Sequence, residues 1–216
     1  MKFWGPRFWM TPLLVAVNVA VFLVESILPP EALQNFQDIF ALSLPGLLSG
    51  YLWELLSYAF LHANLTHILL NMLGLWFGGR MLEPYIGGWR ILILYVFAAL
   101  LGGIAQLLFS LGQSTLIGAS GAVFGIIVAF AAIFPHADLI VVFLVLPVRL
   151  RARIMAWILI GYTVAFMTLG IMPYVGYAAH LGGALGGFLF ARIGGFAAPS
   201  FIEQKLIRLG RRFLRR

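Results

Sequence analysis

The chain has 216 residues, 62% hydrophobic and only 10% charged, with a mean hydropathy of +1.03. Soluble domains carry about a quarter charged residues, so this composition excludes an ordinary soluble fold and points to a single polytopic membrane bundle. Cysteine is absent, which excludes a disulfide framework, a thiol nucleophile and a zinc–thiolate site. The net charge of +7 raises nucleic acid as a partner, but where the charges fall favours a membrane surface, and no nucleic-acid partner is expected.

A helix needs about 18 or more apolar residues to cross roughly 30 Å of hydrocarbon. In chain order, runs near 10–29, 66–84, 90–111, 119–135, 153–171 and 178–195 meet or approach that length. The expectation is an all-α polytopic protein with six transmembrane helices in residues 1–195 and a basic cytoplasmic tail in 196–216. The first run has no cleavage-site pattern after it and is kept as a span. The fourth and sixth are short and rich in glycine and alanine, as interior helices are. The run "LIVVFLVLPV" at 139–148 is too short to cross and is expected to be re-entrant or interfacial.

Charge sets the orientation. With an inside amino terminus, six spans put all fourteen Lys and Arg residues on the cytoplasmic side, and the outer loops near 30–65, 112–118 and 172–177 contain none. That is the positive-inside pattern, with both termini cytoplasmic. The tail "FIEQKLIRLGRRFLRR" reads either as an amphipathic helix on anionic lipid or as a frayed topology signal.

Polar residues at membrane depth are costly and mark functional positions by default. The short set taken here is His67 and Asn71 in the second span, Ser120 in the fourth and His180 in the sixth. These spans all run from outside to inside, and His67, Ser120 and His180 lie near their starts. The three therefore share one layer, close to the outer face. His67 and Asn71, four residues apart, stack on one helical face, as do Ser120 and Phe124. Ala179, Gly183 and Gly187 form a small-xxx-small stripe matched by Gly121 and Gly125, so the two helices can approach closely enough to join a serine to a histidine.

A serine hydroxyl becomes a nucleophile when neutral imidazole takes its proton. Attack on a carbonyl then charges its oxygen, which needs preorganised donors. The Ser120 amide at a helix N-terminus is one such donor, and the side chains of His67 and Asn71 are others. With no carboxylate expected in this layer within a span, the arrangement is a dyad, and Phe124 is placed to hold the His180 ring by packing.

These residues resemble the rhomboid family of intramembrane serine proteases. "GASG" at 118–121 resembles its nucleophile motif, "HANLTHILLNM" at 62–72 its second-span motif, and "AHLGGALGG" at 179–187 its final histidine motif. "EPYIGGWR" at 83–90, with Glu83 and Gly87, resembles a structural turn after the second span. The resemblance implies Ser120 as nucleophile, His180 as general base, and His67, Asn71 and the Ser120 amide as oxyanion donors. It implies no cofactor and no metal, and substrates that are single-span membrane proteins cut near the outer end of their span. Phe124 departs from the tyrosine that many members carry. The six-span form resembles the smaller bacterial members, hence an expected bacterial inner membrane.

Other readings remain beside this one. Ser120 alone reads as a packing residue, and His180 alone as a structural histidine. Three histidines near one face invite a zinc site, against which stands the lack of supporting carboxylates. A non-catalytic rhomboid-like protein that binds membrane helices is the alternative from another class. His62 is expected to order the first outer loop and His136 to lie at the inner interface. Gln106, Ser110, Gln113 and Ser114 either line a water path or form a polar helix end. The fifth span, with Trp157, Tyr162, Phe166 and Met167, lacks a glycine stripe and is the expected mobile element for sideways substrate entry.

Overall fold

The computed structural model describes residues 8–110, 115–143 and 146–196. The tail beyond 196 lies outside the described residues, as do Lys2, Arg7, Gln113 and Ser114.

The first helix, α1 (Met10–Ile27), starts against a carboxylate rather than a capping residue of its own. Glu83, distant in sequence and fully buried, accepts the N–H groups of Trp9 (2.9 Å), Met10 (2.7 Å) and Thr11 (2.8 Å). Those amides have no carbonyl one turn back, and the helix dipole adds positive charge there, so one carboxylate satisfies both demands.

The outer segment that follows is built of short helices: α2 (Pro30–Phe40), α3 (Leu44–Leu48), α4 (Glu54–Ser57) and a 3₁₀ turn at Tyr58–Phe60. A second buried carboxylate organises it. Glu54 accepts from the Ser43 amide (2.8 Å) and hydroxyl (3.2 Å), while the Ser43 oxygen caps α3 at Gly46. A third, Glu25 near the outer end of α1, accepts from the His62 amide (3.0 Å). Glu25 is buried, at 4% exposure. This corrects one expectation: a carboxylate does lie in the outer layer within a predicted span, although it serves the loop.

The remaining helices are α5 (Leu65–Ile86), α6 (Gly88–Ser110), α7 (Ser120–Ile133), α8 (Ala152–Thr168) and α9 (Tyr177–Ile193). Together with α1 they coincide with the six predicted runs. By length and hydropathy, α1 and α6 suffice on their own to cross a bilayer, while α7 and α8 are apolar but shorter. Helix α7 is the centre of the bundle and packs on α5, α6, α8 and α9. Helix α9 lies against both α6 and α7.

Between α7 and α8, where a re-entrant or interfacial segment is expected, the structure pairs two strands, which departs from an all-α chain. Residues Asp138–Phe143 (β1) and Leu146–Arg151 (β2) pair antiparallel, from Asp138 opposite Arg151 to Phe143 opposite Leu146. The β-branched run Ile140, Val141 and Val142 favours extended backbone, and pairing the two strands satisfies their amides locally.

Small residues set the helix spacing. A methyl group on Gly183 would strike the Gly121 carbonyl, and one on Gly187 the Gly125 carbonyl. On the other side of α9, a methyl on Gly186 would lie 3.0 Å from the Ala98 Cα. This α6 contact was not foreseen, because α6 contributes alanine as well as glycine.

Glu83→Ala is expected to cost about 2–4 kcal/mol, since it orphans three amides, two of them buried, with Glu83→Gln intermediate; thermal unfolding in detergent measures both. A second expectation concerns pH. His62 is 2% exposed. Burial, with a smaller contribution from the His67 imidazole, lowers its pKa from 6.5 to about 4, against an opposing pull from the Phe60 carbonyl. The unfolded chain therefore binds the extra proton between those values, so stability present above about pH 6.5 is lost as pH falls toward 4. His62→Gln should flatten the fall in Tm between pH 7 and pH 4.5, and an unchanged slope would assign the loss to other groups.

Candidate active site

Three loop-to-helix junctions, at the starts of α5, α7 and α9, meet at the end of the bundle where the segment of short helices lies. The chain leaves α6, forms an isolated bridge between Leu116 and Leu42 (N···O 3.0 and 2.9 Å), and donates the Gly118 amide to the Tyr58 carbonyl (2.9 Å). The outer segment thus fixes the approach to α7. Tyr58 is itself held by its hydroxyl on the Ala99 carbonyl (2.7 Å), and Tyr95 returns a hydroxyl to Ala59 (2.7 Å). Gly118 has φ +119°, a conformation that L side chains rarely adopt, and a Cβ there would lie 2.7 Å from the His67 ring.

Ser120 is the first residue of α7, so its amide falls among those with no intrahelical acceptor. Its Oγ lies 2.9 Å from Nε2 of His180. The Phe124 ring, one turn further along α7, stacks on the imidazole with centroids 4.3 Å apart and planes 10° apart. On the other side, Tyr177 meets the same ring edge-on at 6.1 Å. The imidazole is buried, and its Nδ1 has no hydrogen-bond partner among the described residues. Packing on two aromatic rings therefore orients it where a carboxylate would in a triad.

His67 and Asn71 stand on α5 facing the same loop. Asn64 caps α5 by accepting the His67 amide (2.9 Å), which sets the start of the helix and the direction of the ring. The Asn71 Nδ2 donates to the His67 carbonyl (3.1 Å) and lies 3.9 Å from where a Gly118 Cβ would be. All four predicted side chains are thus brought to one place, together with the Ser120 amide. The glycines Gly121, Gly125, Gly183 and Gly187 form the contact beneath them.

His62 is buried, with its ring 5.1 Å from that of His67. It backs the second-span histidine as well as ordering the loop. His136 is exposed in the turn after α7. Gln106 accepts the Ala179 amide (3.3 Å) and so ties α6 to the first turn of α9, beside His180. Of the bulky residues on α8, Trp157 is 71% exposed. Tyr162 and Phe166 instead contact each other at 4.1 Å, and Phe166 reaches Tyr177 at 6.5 Å.

Sequence reasoning missed Asn18, Glu25 and Glu54, all buried. Asn18 and Glu25 are single polar residues in or beside an apolar helix, a signal that was present and passed over. Glu54 was hidden in a loop with no periodicity to read.

The Rhomboid domain family model matches residues 49–195. The chain is 29% identical over 208 residues to Rhomboid protein 1, mitochondrial, of Saccharomyces cerevisiae, covering 93% of this chain and 57% of the relative. It is 32% identical over 182 residues to the rhomboid protease GlpG of Serratia proteamaculans, covering 82% of this chain and 59% of the relative. To the rhomboid protease GluP of Bacillus subtilis it is 30% identical over 164 residues, 73% of this chain and 29% of the relative. The chain spans little more than half the length of the yeast and Serratia relatives. With the Rhomboid domain matched over more than half of its residues, the chain belongs to the rhomboid family.

Proposed function

We propose that this chain is an intramembrane serine endopeptidase that cuts single-span membrane proteins near the outer end of their span. The observation that carries the proposal is the 2.9 Å contact between Ser120 Oγ and His180 Nε2 at paired helix starts. The proposal includes six membrane-crossing helices, cytoplasmic termini and a bacterial cell membrane, for which the one-sided basic residues and the six-span form are the support.

In this reading Nε2 takes the hydroxyl proton as Oγ bonds to the scissile carbonyl carbon. The charged oxygen that results is met by the Ser120 amide and by donors from His67 and Asn71. Collapse breaks the C–N bond, and the imidazolium returns its proton to the leaving amine. Water, deprotonated by His180, then opens the acyl-enzyme and restores Ser120. The imidazole must keep its hydrogen on Nδ1 throughout the resting state, and stacking on Phe124 holds that ring plane without a carboxylate.

Substrate has to arrive sideways from lipid with its backbone locally unwound, because a helix hides its peptide bonds. The separable wall is α8, which buries only Ala152, Ala156 and Thr163 and lacks the glycine contacts that lock α7 to α9.

Ser120→Ala and His180→Ala should each lower cleavage of a model single-span substrate by a thousand-fold or more on the scale of about 10⁶ seen for such groups. Tm should be little changed. A serine-directed fluorophosphonate should label Ser120, and a chelator should leave activity intact; undiminished cleavage in either variant would remove the assignment, and zinc-dependent rescue would put a metal in its place. Asn71→Ala should cost about 10²-fold in kcat as one lost oxyanion donor. Phe124→Ala should lower kcat while Phe124→Tyr preserves it.

The gate is tested apart from the chemistry. Phe166→Ala should raise the cleavage rate and lower Tm. A cysteine crosslink joining the outer ends of α5 and α8 should stop proteolysis yet leave fluorophosphonate labelling of Ser120; full proteolysis through the crosslink would exclude α8 as the gate.

A further inference from the structure

A cavity of about 450 Å³ opens between α7, α8 and α9; its lining runs from Arg153 and Phe188 up to Ile160 and Leu181, and includes neither Ser120 nor His180. Small residues make its floor: Ala131 of α7, Ala156 of α8 and Ala184 of α9. Trp157 and Phe188, 71% and 46% exposed, form its walls. Arg153, exposed on the first turn of α8, is the one charged residue in its lining and stands at its inner mouth. Beside that mouth β2 brings Arg149 and Arg151, and Asp138, opposite Arg151, is the carboxylate facing them from β1. The balance is cationic where the groove meets the inner membrane surface.

We propose that this groove binds one anionic phospholipid of the inner leaflet, its phosphate on Arg153 and the upper part of an acyl chain along the alanines. This rests on the membrane-crossing part of the function proposed above, and is independent of the catalytic part. The dimensions choose the occupant. The lining runs from Arg153 to Ile160 on α8, about 10 Å at 1.5 Å per residue, which matches the upper part of one acyl chain. The groove is open-sided at Trp157 and Phe188, so a helix about 10 Å or more across rests on its rim, while a hydrocarbon chain reaches the alanine floor. The charge then chooses the headgroup. A guanidinium pairs with a phosphate oxygen in bidentate fashion, and the neighbouring arginines favour a lipid with net negative charge over a zwitterionic one. A free phosphate would leave the apolar floor bare, whereas a phospholipid covers both parts.

The test uses the full chain, purified in detergent and stripped of lipid, with phosphatidylglycerol carrying a photoreactive group near the carboxyl end of one acyl chain. Labelling should map to the inner halves of α8 and α9 and be competed by unlabelled phosphatidylglycerol, with inorganic phosphate and phosphatidylcholine competing weakly. Arg153→Gln should weaken labelling by about five-fold, the worth of one basic residue at an anionic surface. Ala184→Leu, which fills the floor, should abolish labelling at the groove. Fluorophosphonate reactivity of Ser120 is read in the same samples. A wild-type chain that labels with lipid but never with fluorophosphonate sinks the protease and leaves the lipid site standing. A chain that alkaline carbonate strips from membranes sinks the membrane-crossing reading. Lipid label spread evenly over α1, α5 and α6, equal labelling by phosphatidylcholine with no effect of Arg153→Gln, or capture of a single-span substrate here in place of lipid would each overturn the site.

Discussion

The contact on which the rest of the structure depends is backbone against backbone. Gly183 and Gly187 of α9 lie on the carbonyls of Gly121 and Gly125 of α7, with no room for a methyl group between them. Hydrocarbon gives apolar side chains little reason to leave lipid, so helix association there relies on close van der Waals contact, and small residues supply it. The same contact has a chemical result. Two helices that touch at their backbones carry their first-turn side chains within a hydrogen bond of each other, and Ser120 and His180 are those side chains. Register decides the matter: Gly121 follows the serine, Gly183 follows the histidine by three, and the two positions meet.

A second constraint is that polar backbone cannot be left unsatisfied where water is scarce. Three acidic residues deal with it at points where the chain breaks from helical order. Glu83 closes the start of α1, Glu54 the start of α3 through Ser43, and Glu25 the amide of His62 just ahead of α5. Each lies far in sequence from at least part of what it satisfies, so each also ties two segments together. Glu25 and Glu54 act on the outer segment, which in turn holds Gly118 through Tyr58. The site at the outer end is supported from its loop side by hydrogen bonds, and from its helix side by glycine packing.

How much of this was legible follows from which interactions are periodic. The six long helices could be read because hydrophobic length is a local property, and the α7–α9 seam because its glycines recur every four residues. The shared layer of His67, Ser120 and His180 is read from the expected topology, in which alternate spans share a direction and residues near their starts share a depth; Asn71 joins by its four-residue spacing to His67, and the glycine stripes bring the serine to the histidine. The short helices of the outer segment left no such trace. Their order comes from Glu54 and Glu25 reaching across 11 and 37 residues, which no local pattern encodes. The strand pairing after α7 left no trace for a related reason. A ten-residue apolar run has the same composition whether it dips into lipid or folds back on itself, and only the pairing of Asp138 with Arg151 separates the two. Gln106, read from sequence either as part of a wet path or as a polar helix end, serves the first turn of a neighbouring helix, a role that no local pattern announces.

The two ways of holding helices also divide the molecule by stiffness. Contacts made backbone to backbone have one good arrangement, because a shift of an ångström either collides with a carbonyl or opens a void. Contacts made by long side chains have several, since rotamers can follow a displaced helix. Helices α6, α7 and α9 meet in the first way, at Gly102, Gly121, Gly125, Gly182, Gly183 and Gly187. Helix α8 buries only Ala152, Ala156 and Thr163, reaches α9 through the Phe166 ring, and has no backbone-to-backbone glycine contact, since Gly161 on it faces open space. The imidazole of His180 sits at the boundary: Phe124 of the stiff core stacks on one side of it, while Tyr177 on the other leads to Phe166 of α8. Under the proposed gate, a displacement of α8 would reach His180 through Phe166 and the Tyr177 edge contact. Of the two ring contacts that orient His180, the stacked one belongs to the glycine-locked pair α7 and α9, so it is the one that a displaced α8 would reach last.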